Sequence, residues 1–363
     1  MSKSNISREA LVKAAAQVRP AVSGQSYVPA LTHIRFMDGW LTAYNDVTAI
    51  AVKGPKELPD CCLPGDTLIK ALNGFTTSEI ALTENDKEGS VLLTSGRSKM
   101  KLHSLPVKDF PFEWPEGDSA VVELDADVLR GIERCLISVG ADPTHPAQMG
   151  VTMEADEKGR AVLFSTDNFT ISRFQTKTEV DLPGDTPIIL PTFFCEQVVL
   201  LSKALGKTDV DLCIFPGAIM AVIGNVAQVF TKMVDDLEPL NFGSMLSRYF
   251  KIEKVKNQLV PLPDGFDAAL GRALLVLSNS SDKVTKVEVD DDSLKMSTSS
   301  DIGDANDSLK FDGEEFSDDP FYVDPSLVSR AAKVCDSVAL LDKVLLMGST
   351  DATFLHMIAH CSK

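Results

Sequence analysis

The amino-acid sequence predicts an α+β protein in which one unit, an antiparallel sheet backed by two helices, occurs three times. Three observations carry this reading. Amphipathic helical segments with ordinary start and stop signals occur six times. Alternating apolar and polar stretches bounded by Gly, Pro and Asp lie between them, as strands would. The order helix, strands, helix, strands recurs at a fixed period. First helices begin near residues 7, 125 and 264, and second helices near 66, 191 and 324. The spacing within a unit is about 60 residues and each unit is about 120 long, the signature of a repeat architecture.

The helices follow in order. SREALVKAAAQVRP opens on Ser7 as cap, and GDTLIKALNGF on Asp66. DADVLRGIERCLISVG runs from Asp125 or Asp127 to a stop at Gly140. PTFFCEQVVLLSKALG starts with Pro191 and ends at Gly206. DGFDAALGRALLVLS follows Asp264, and DPSLVSRAAKVCDSV is capped by Asp324 with Pro325 at its first helical position. The strands are read from SVLLTSGRSKMKL, AVLFSTDNFTISRF, DVDLCIFPGAIMAVIGNVAQVFTKMV and KVLLMGSTDATFLHMIA. Alternation with a polar outer face suits antiparallel sheets. Joins at FEWPEGDS and EPLNFGSMLSRYF divide the chain into domains 1–118, 119–246 and 247–363.

Charge is unevenly placed. The formal net charge is -17. Yet the helical segments, taken as 7–20, 65–76, 125–140, 190–207, 264–278 and 324–340, hold 11 Lys and Arg against 10 Asp and Glu, so the rest of the chain carries about -18. Cations sit opposite the apolar stripes: Arg130 and Arg134 against Leu129, Ile132 and Leu136, and Arg330 and Lys333 against Leu327, Ala331 and Val334. A weakly basic helical lining with an acidic exterior suits a polyanion held inside and repelled outside. The acidity excludes a protein that simply coats nucleic acid, because such binding rests on neutralising phosphate.

In SGRSKMKL the two-residue alternation puts Arg97, Lys99 and Lys101 on one face of a strand and Ser98, Met100 and Leu102 on the other. Three adjacent cations need an acidic counterpart or a solvated edge. The seven cysteines include no C-x-x-C pair and sit mostly in apolar surroundings, so they read as reduced core residues. No run of about 18 apolar residues is present, so no membrane span is expected. The opening MSKSNISREALVKAAAQ lacks an apolar signal core, and the expected location is the cytoplasm.

Several stretches carry a family resemblance. LVKAAAQVRPAVSGQSYVPALTHIRF and LTSGRSKMKLHSLPVKDFP, with its Ser-Gly-Arg-Ser, Leu-Pro and Asp-Phe-Pro, are similar to the bacterial DNA polymerase III beta subunit, the sliding clamp. The STD of AVLFSTDNFTISRF, the KMVDDLEP segment and LGRALLVLSNSS follow in the family's order. The resemblance implies the DNA clamp fold: three domains per chain, and two chains closing a ring with helices inside and sheets outside. It implies a processivity factor with no chemistry of its own. Its partners would be encircled duplex DNA, a DNA polymerase and clamp loader, and a second copy of the chain.

The resemblance also assigns sites. Lys13, Lys70, Arg130, Arg134, Lys203, Arg272, Arg330 and Lys333 would face DNA loosely through water. A pocket for a hydrophobic partner peptide would use Thr166, Phe169, Thr170, Ile171, Pro239, Met357, Ile358 and the C-terminal residues. The dimer interface would set Arg97, Lys99, Met100 and Leu102 against Val276, Leu277, Asp301, Asp304 and Asp307. The chain departs from the family at two places. Asn168-Phe169-Thr170-Ile171 stands where Gly-His-Arg-Leu is usual, and Ala359-His360-Cys361-Ser362-Lys363 where Met-Pro-Met-Arg-Leu is usual. Such departures suit a clamp carried by a virus or mobile element.

Other chemistries find little support. Neither a G-x-x-x-x-G-K-[ST] loop nor a G-x-G-x-x-G turn is present, so no nucleotide cofactor is expected. His356 and His360 are four apart but on a strand, and the run Asp290-Asp291-Asp292 reads as a solvated turn, so no metal is expected. Two alternatives stay open at this stage: a peptide-binding relative that forms no ring, and an enzyme whose site assembles from distant residues.

Overall fold

The computed structural model describes residues 4–85, 89–184, 186–234, 237–249, 251–281, 283–290, 292–313, 320–341 and 344–361. Asp291 of the triple-Asp run, Asp235 and Asp236 of KMVDDLEP, and Ser362 and Lys363 of the tail lie outside the described residues. The chain divides into two compact units, residues 1–125 with 196–235, and residues 126–195 with 236–363.

Eight α-helices are described: α1 (Arg8–Val18), α2 (Gly65–Gly74), α3 (Ala126–Cys135), α4 (Thr192–Leu205), α5 (Phe242–Ser247), α6 (Ile252–Val255), α7 (Phe266–Val276) and α8 (Pro325–Ala332). Six match the expected segments, with shorter ends. Ser7 Oγ accepts from the Ala10 N–H and Asp324 Oδ1 from the Ser326 N–H, as capping requires. Asp66 instead lies in the first turn of α2, and Gly265, at φ +83°, caps α7 in place of Asp264. The sixth helix stops at Ala332, so Ser337 and Val338 belong to a strand. Its buried side is Pro325, Val328 and Ala331, one step out of phase with the Leu327–Ala331–Val334 stripe read from the sequence.

In the first unit an eight-stranded antiparallel sheet runs Cys61–Pro64, His33–Met37, Trp40–Tyr44, Thr48–Lys53, Ala227–Lys232, Ala218–Ile223, Val210–Phe215, Ala120–Leu124. Its seam pairs Ile50 with Val229, and Thr48 and Thr231 share a buried hydrogen bond of 3.1 Å. Phe110 and Phe112 pack with Tyr44 and Phe230 in one aromatic cluster. A four-stranded sheet follows Ser4–Ser7, Glu79–Asn85, Ser90–Ser95, Ser98–His103. Leu11, Ala14, Ala15 and Val18 form the buried side of α1, which packs on α2 and on the strands Trp40–Tyr44 and Thr48–Lys53.

The second unit repeats the pattern. Its eight-stranded sheet runs Ile188–Pro191, Gly150–Ala155, Arg160–Thr166, Thr170–Glu179, Phe354–Ala359, Val344–Gly348, Ser337–Leu341, Val260–Pro261. Its four-stranded sheet runs Gly303–Lys310, Ser293–Ser300, Thr285–Asp290, Phe321–Val323. The helix α3 packs on Arg160–Thr166 and Thr170–Glu179, α7 packs on α8 and on the hairpin 293–310, and α8 packs on Phe354–Ala359.

Several of the long alternating stretches double back on themselves rather than running as single strands. SVLLTSGRSKMKL turns at Gly96-Arg97, where Gly96 has φ +59°. Arg97 therefore sits in the turn and does not share a strand face with Lys99 and Lys101. AVLFSTDNFTISRF turns at residues 167–169, with Asn168 at φ +72°. The acidic SSDIGDAND stretch turns at Asp301 and Ile302. All seven cysteines are free thiols, five of them buried. No helix among the described residues is long and apolar enough to cross a membrane.

Candidate functional site

The hairpin turn 166–170 is tightly held by hydrogen bonds to one carboxylate. Asp167 organises it: Oδ1 accepts from the N–H of Phe169 at 3.1 Å, the N–H of Thr170 at 2.7 Å and the Thr170 hydroxyl at 2.8 Å. Its other oxygen faces Arg330 of α8 at 3.5 Å. Gln148 donates to the Asn168 side-chain oxygen at 2.6 Å, and the Phe169 carbonyl accepts from the Ala359 N–H at 2.9 Å. A left-handed residue and a tip held from three directions leave the Phe169 ring 66% exposed.

Beneath the turn lies a buried chain of hydroxyls ending on an imidazole. Thr170 Oγ1 is 3.0 Å from Ser138 Oγ, Ser138 Oγ is 2.7 Å from Ser172 Oγ, and Ser172 Oγ is 2.9 Å from His356 Nδ1. The Asp167 carboxylate can only accept, so it takes the single Thr170 hydroxyl proton. Ser138 Oγ is also 3.2 Å from His356 Nδ1, so both serine hydroxyls converge on that ring nitrogen. The other ring nitrogen, Nε2, is buried without a hydrogen-bond partner. Burial and the nearby Arg330 charge push His356 down to about 3, so the imidazole is neutral at neutral pH.

Phe169 overhangs a groove of about 940 Å³. Its floor is one row of the four-stranded sheet, with Tyr322, Lys286, Ser297 and Asn306 standing in register. Asp324, the cap of α8, and Leu327 within it form one wall, and Lys283, Val284 and Cys361 also line it. The Cys361 N–H donates to the Tyr322 carbonyl at 2.8 Å, which ties that wall to the floor. Lys283 and Lys286 against Asp304 and Asp324 give the groove both signs of charge. The sequence reading missed Tyr322, Lys286 and Leu327, because their convergence depends on sheet register.

The remaining expected pocket residues separate. Ile171 and Met357 join one apolar cluster with Phe164, Phe242, Leu246 and Leu355, rimmed by half-buried Leu240, Met245 and Leu341. Phe164 and Phe242 stack at 4.9 Å within it. Ile358 is fully buried, and strand alternation puts it with Phe354 and His356, away from that cluster. Thr166 and Thr170 are buried, and Pro239 is half-buried. His356 is interior while His360 is exposed beside the Phe321 ring at 5.0 Å, so the two histidines do not converge. Among the described residues no group of three or more His, Cys, Asp or Glu is placed to hold a metal.

The expected DNA-facing cations fall into two kinds. Lys13, Lys70, Lys203 and Lys333 are exposed. The arginines have partners in the chain. Arg130 pairs with Asp127 and lies over the Phe174 ring at 5.4 Å. Arg134 is half-buried and donates to the Val334 carbonyl. Arg272 Nε is 3.1 and 3.2 Å from the two Asp307 oxygens, so the expected DNA-facing cation and the expected interface carboxylate are paired with each other within the chain. The Asp307 carboxylate holds Arg272 above its ordinary value.

Two edge strands carry the expected interface residues. Ser98–His103 ends the four-stranded sheet of the first unit, with Lys99 and Lys101 exposed and Met100 half-buried. Gly303–Lys310 ends that of the second, with Asp304 exposed and Asp301 in the adjoining turn. Leu102 and Leu277 are 5% and 1% exposed, so both belong to their own cores and are not free to pack on another chain. Val276 is half-buried, and its carbonyl accepts from Ser300 Oγ at 2.7 Å. Beside it stand two apolar side chains that the sequence reading missed, Leu275 at 71% and Ile302 at 56% exposure.

Paired four- and eight-stranded antiparallel sheets backed by helices, repeated along the chain, define the DNA clamp fold. No protein-family model matches the chain. It is similar to the beta sliding clamp of Bacillus subtilis, with 22% identity over 360 residues, 93% of this chain and 92% of that protein. The crystal structure of the DNA polymerase III beta subunit of Thermotoga maritima superposes with a TM-score of 0.82 at 15% identity, covering 99% of each chain. The DNA polymerase sliding clamp of Bacillus subtilis superposes with a TM-score of 0.80 at 19% identity, covering 99% of this chain and 98% of that one. The chain is thus a divergent structural counterpart of the bacterial beta subunits that its motifs resemble.

Proposed function

We propose that the protein is a DNA sliding clamp, a non-catalytic processivity factor working in the cytoplasm. It consists of three similar domains, 1–118, 119–246 and 247–363. Two copies join head to tail between the basic edge Ser98–His103 and the acidic edge Gly303–Lys310, which closes a ring after two subunits. Lys99 and Lys101 face Asp301 and Asp304, while Met100 packs near Val276. Exposed ion pairs contribute only about 0–1 kcal/mol each, so they select register while strand pairing and apolar contacts hold the ring.

Duplex DNA passes through the ring and meets the exposed lysines of the helices loosely. Strong phosphate binding would impede sliding, which accounts for an acidic clamp on an acidic polymer. A polymerase, and the loader that opens the ring, dock through a short apolar peptide at the Phe169 groove and the neighbouring Ile171–Met357 cluster. Tethering raises the polymerase's effective concentration at the primer end.

The observation that carries the reading is the likeness to beta subunits along nearly the whole length of both chains. The test has two parts. The solution mass should be twice 39.3 kDa. After loading on nicked circular DNA the protein should stay bound through a high-salt wash and be lost when the circle is cut. A monomer, or equal loss from circle and line, overturns the proposal.

A further inference from the structure

The hairpin tip that overhangs the groove is held by a cation on a helix expected to face DNA. Arg330 Nη2 lies 3.5 Å from Asp167 Oδ2. The Arg330 side chain is 49% exposed and that of Asp167 only 16%, so the cation can leave and the carboxylate cannot follow. The second Asp167 oxygen fixes the backbone N–H groups of Phe169 and Thr170. The helix carrying Arg330 also supplies Leu327, one turn earlier, to the groove wall. One short helix thus touches the groove at Leu327 and the hairpin at Arg330.

We infer that Arg330 couples the two faces of the second unit: a DNA phosphate that captures its guanidinium releases Asp167 and re-aims Phe169 over the peptide groove. The inference rests on the proposal that the helical face meets duplex DNA. A carboxylate and a phosphate drawn to one guanidinium repel each other, and Asp167 is touched by Nη2 alone, so the phosphate competes with it for the cation. Competition is reciprocal: whatever DNA does to the hairpin, a ligand that tightens the hairpin does to DNA binding. A half-exposed ion pair limits the coupling to about five-fold in affinity. The hydroxyl chain from Thr170 to His356 supports the other side of the turn and the Ala359 N–H holds the Phe169 carbonyl, so the re-aiming is of the exposed Phe169 ring over a fixed base.

The test uses the full chain with Phe169→Trp, a conservative change at an exposed position, and a short blunt DNA duplex at low salt. Trp40 and Trp114 lie in the first unit, and the chain without the substitution gives their background. Duplex binding is followed in parallel by anisotropy of a labelled duplex. The expected result is a tryptophan emission shift that tracks duplex binding. With Arg330→Gln added, emission is already displaced without DNA, the duplex gives no further shift, and the salt slope of binding falls by about one. With Asp167→Asn added, the duplex again gives no shift, the salt slope is unchanged, and duplex affinity rises by up to about five-fold. With Lys13→Gln added, the shift persists. Duplex binding with unchanged emission overturns the coupling and leaves the clamp proposal standing. No duplex binding in any variant overturns the DNA-facing reading and the coupling with it.

Discussion

At the scale of single residues, His356 shows how a polar group is tolerated in a core. Its Nδ1 lies within hydrogen-bond reach of Ser172 and Ser138, while Nε2 is buried without a partner. The unfolded chain binds a proton at this imidazole near pH 6.5 and the folded chain near 3. Between those values unfolding takes up a proton. The stability conferred by a neutral His356 is fully present above about pH 6.5 and is lost as pH falls toward 3. The expected loss between pH 7 and pH 5 is about 2 kcal/mol from this group alone. Urea titrations of the wild type and His356→Gln at both pH values check it: the wild type should lose that much more than the variant. None of this was legible in the sequence, where His356 and His360 looked alike. Burial separates them, and burial depends on Phe354–Ala359 being a central strand.

Elements were legible where local chemistry dominates and illegible where turns decide. Ser7, Asp324 and Pro325 mark helix starts because caps satisfy N–H groups within the same turn. The hairpins were harder. Gly96-Arg97 and Asp301-Ile302 hold no proline, and alternation continues across each turn, so a two-residue reversal leaves the pattern almost unbroken. The α8 phase was misread because Leu327 faces the groove rather than the core. Gly131 shows what packing demands of an element. A Cβ there would come within 2.3 Å of Leu163 Cδ1 and 2.7 Å of Phe174 Cδ1, so only glycine lets α3 seat on its sheet. Gly131→Ala should therefore lower the unfolding free energy by about 1–3 kcal/mol, despite a helix-propensity gain of about 1 kcal/mol. Chemical denaturation of the variant decides the sign.

For the whole molecule, the repeat and the charge segregation were readable from the sequence, because both are sums over many residues. The partnerships of individual charges were not. Arg272 and Asp307 lie 35 positions apart and meet only because α7 packs on the Gly303–Lys310 hairpin. If the two edges join copies of the chain, Lys99→Glu should weaken the dimer about five-fold, as should Asp304→Lys. Together the two reversals should recover most of the loss, read by dilution of the dimer in an analytical centrifuge. Additive weakening would show that the two residues do not meet. The pairing of Thr170–Glu179 with Phe354–Ala359 also bears on synthesis. Ser172 and His356 touch although they lie 184 positions apart. At ribosomal speed that interval lasts roughly 10–40 s. Throughout it the strand carrying Ile171 and Phe174 has made one neighbour and must wait for the other. A nascent chain of this kind exposes a bare, apolar ribbon edge for most of its birth, so trigger-type holdases at the exit tunnel should matter more for its yield than for proteins whose sheets close locally.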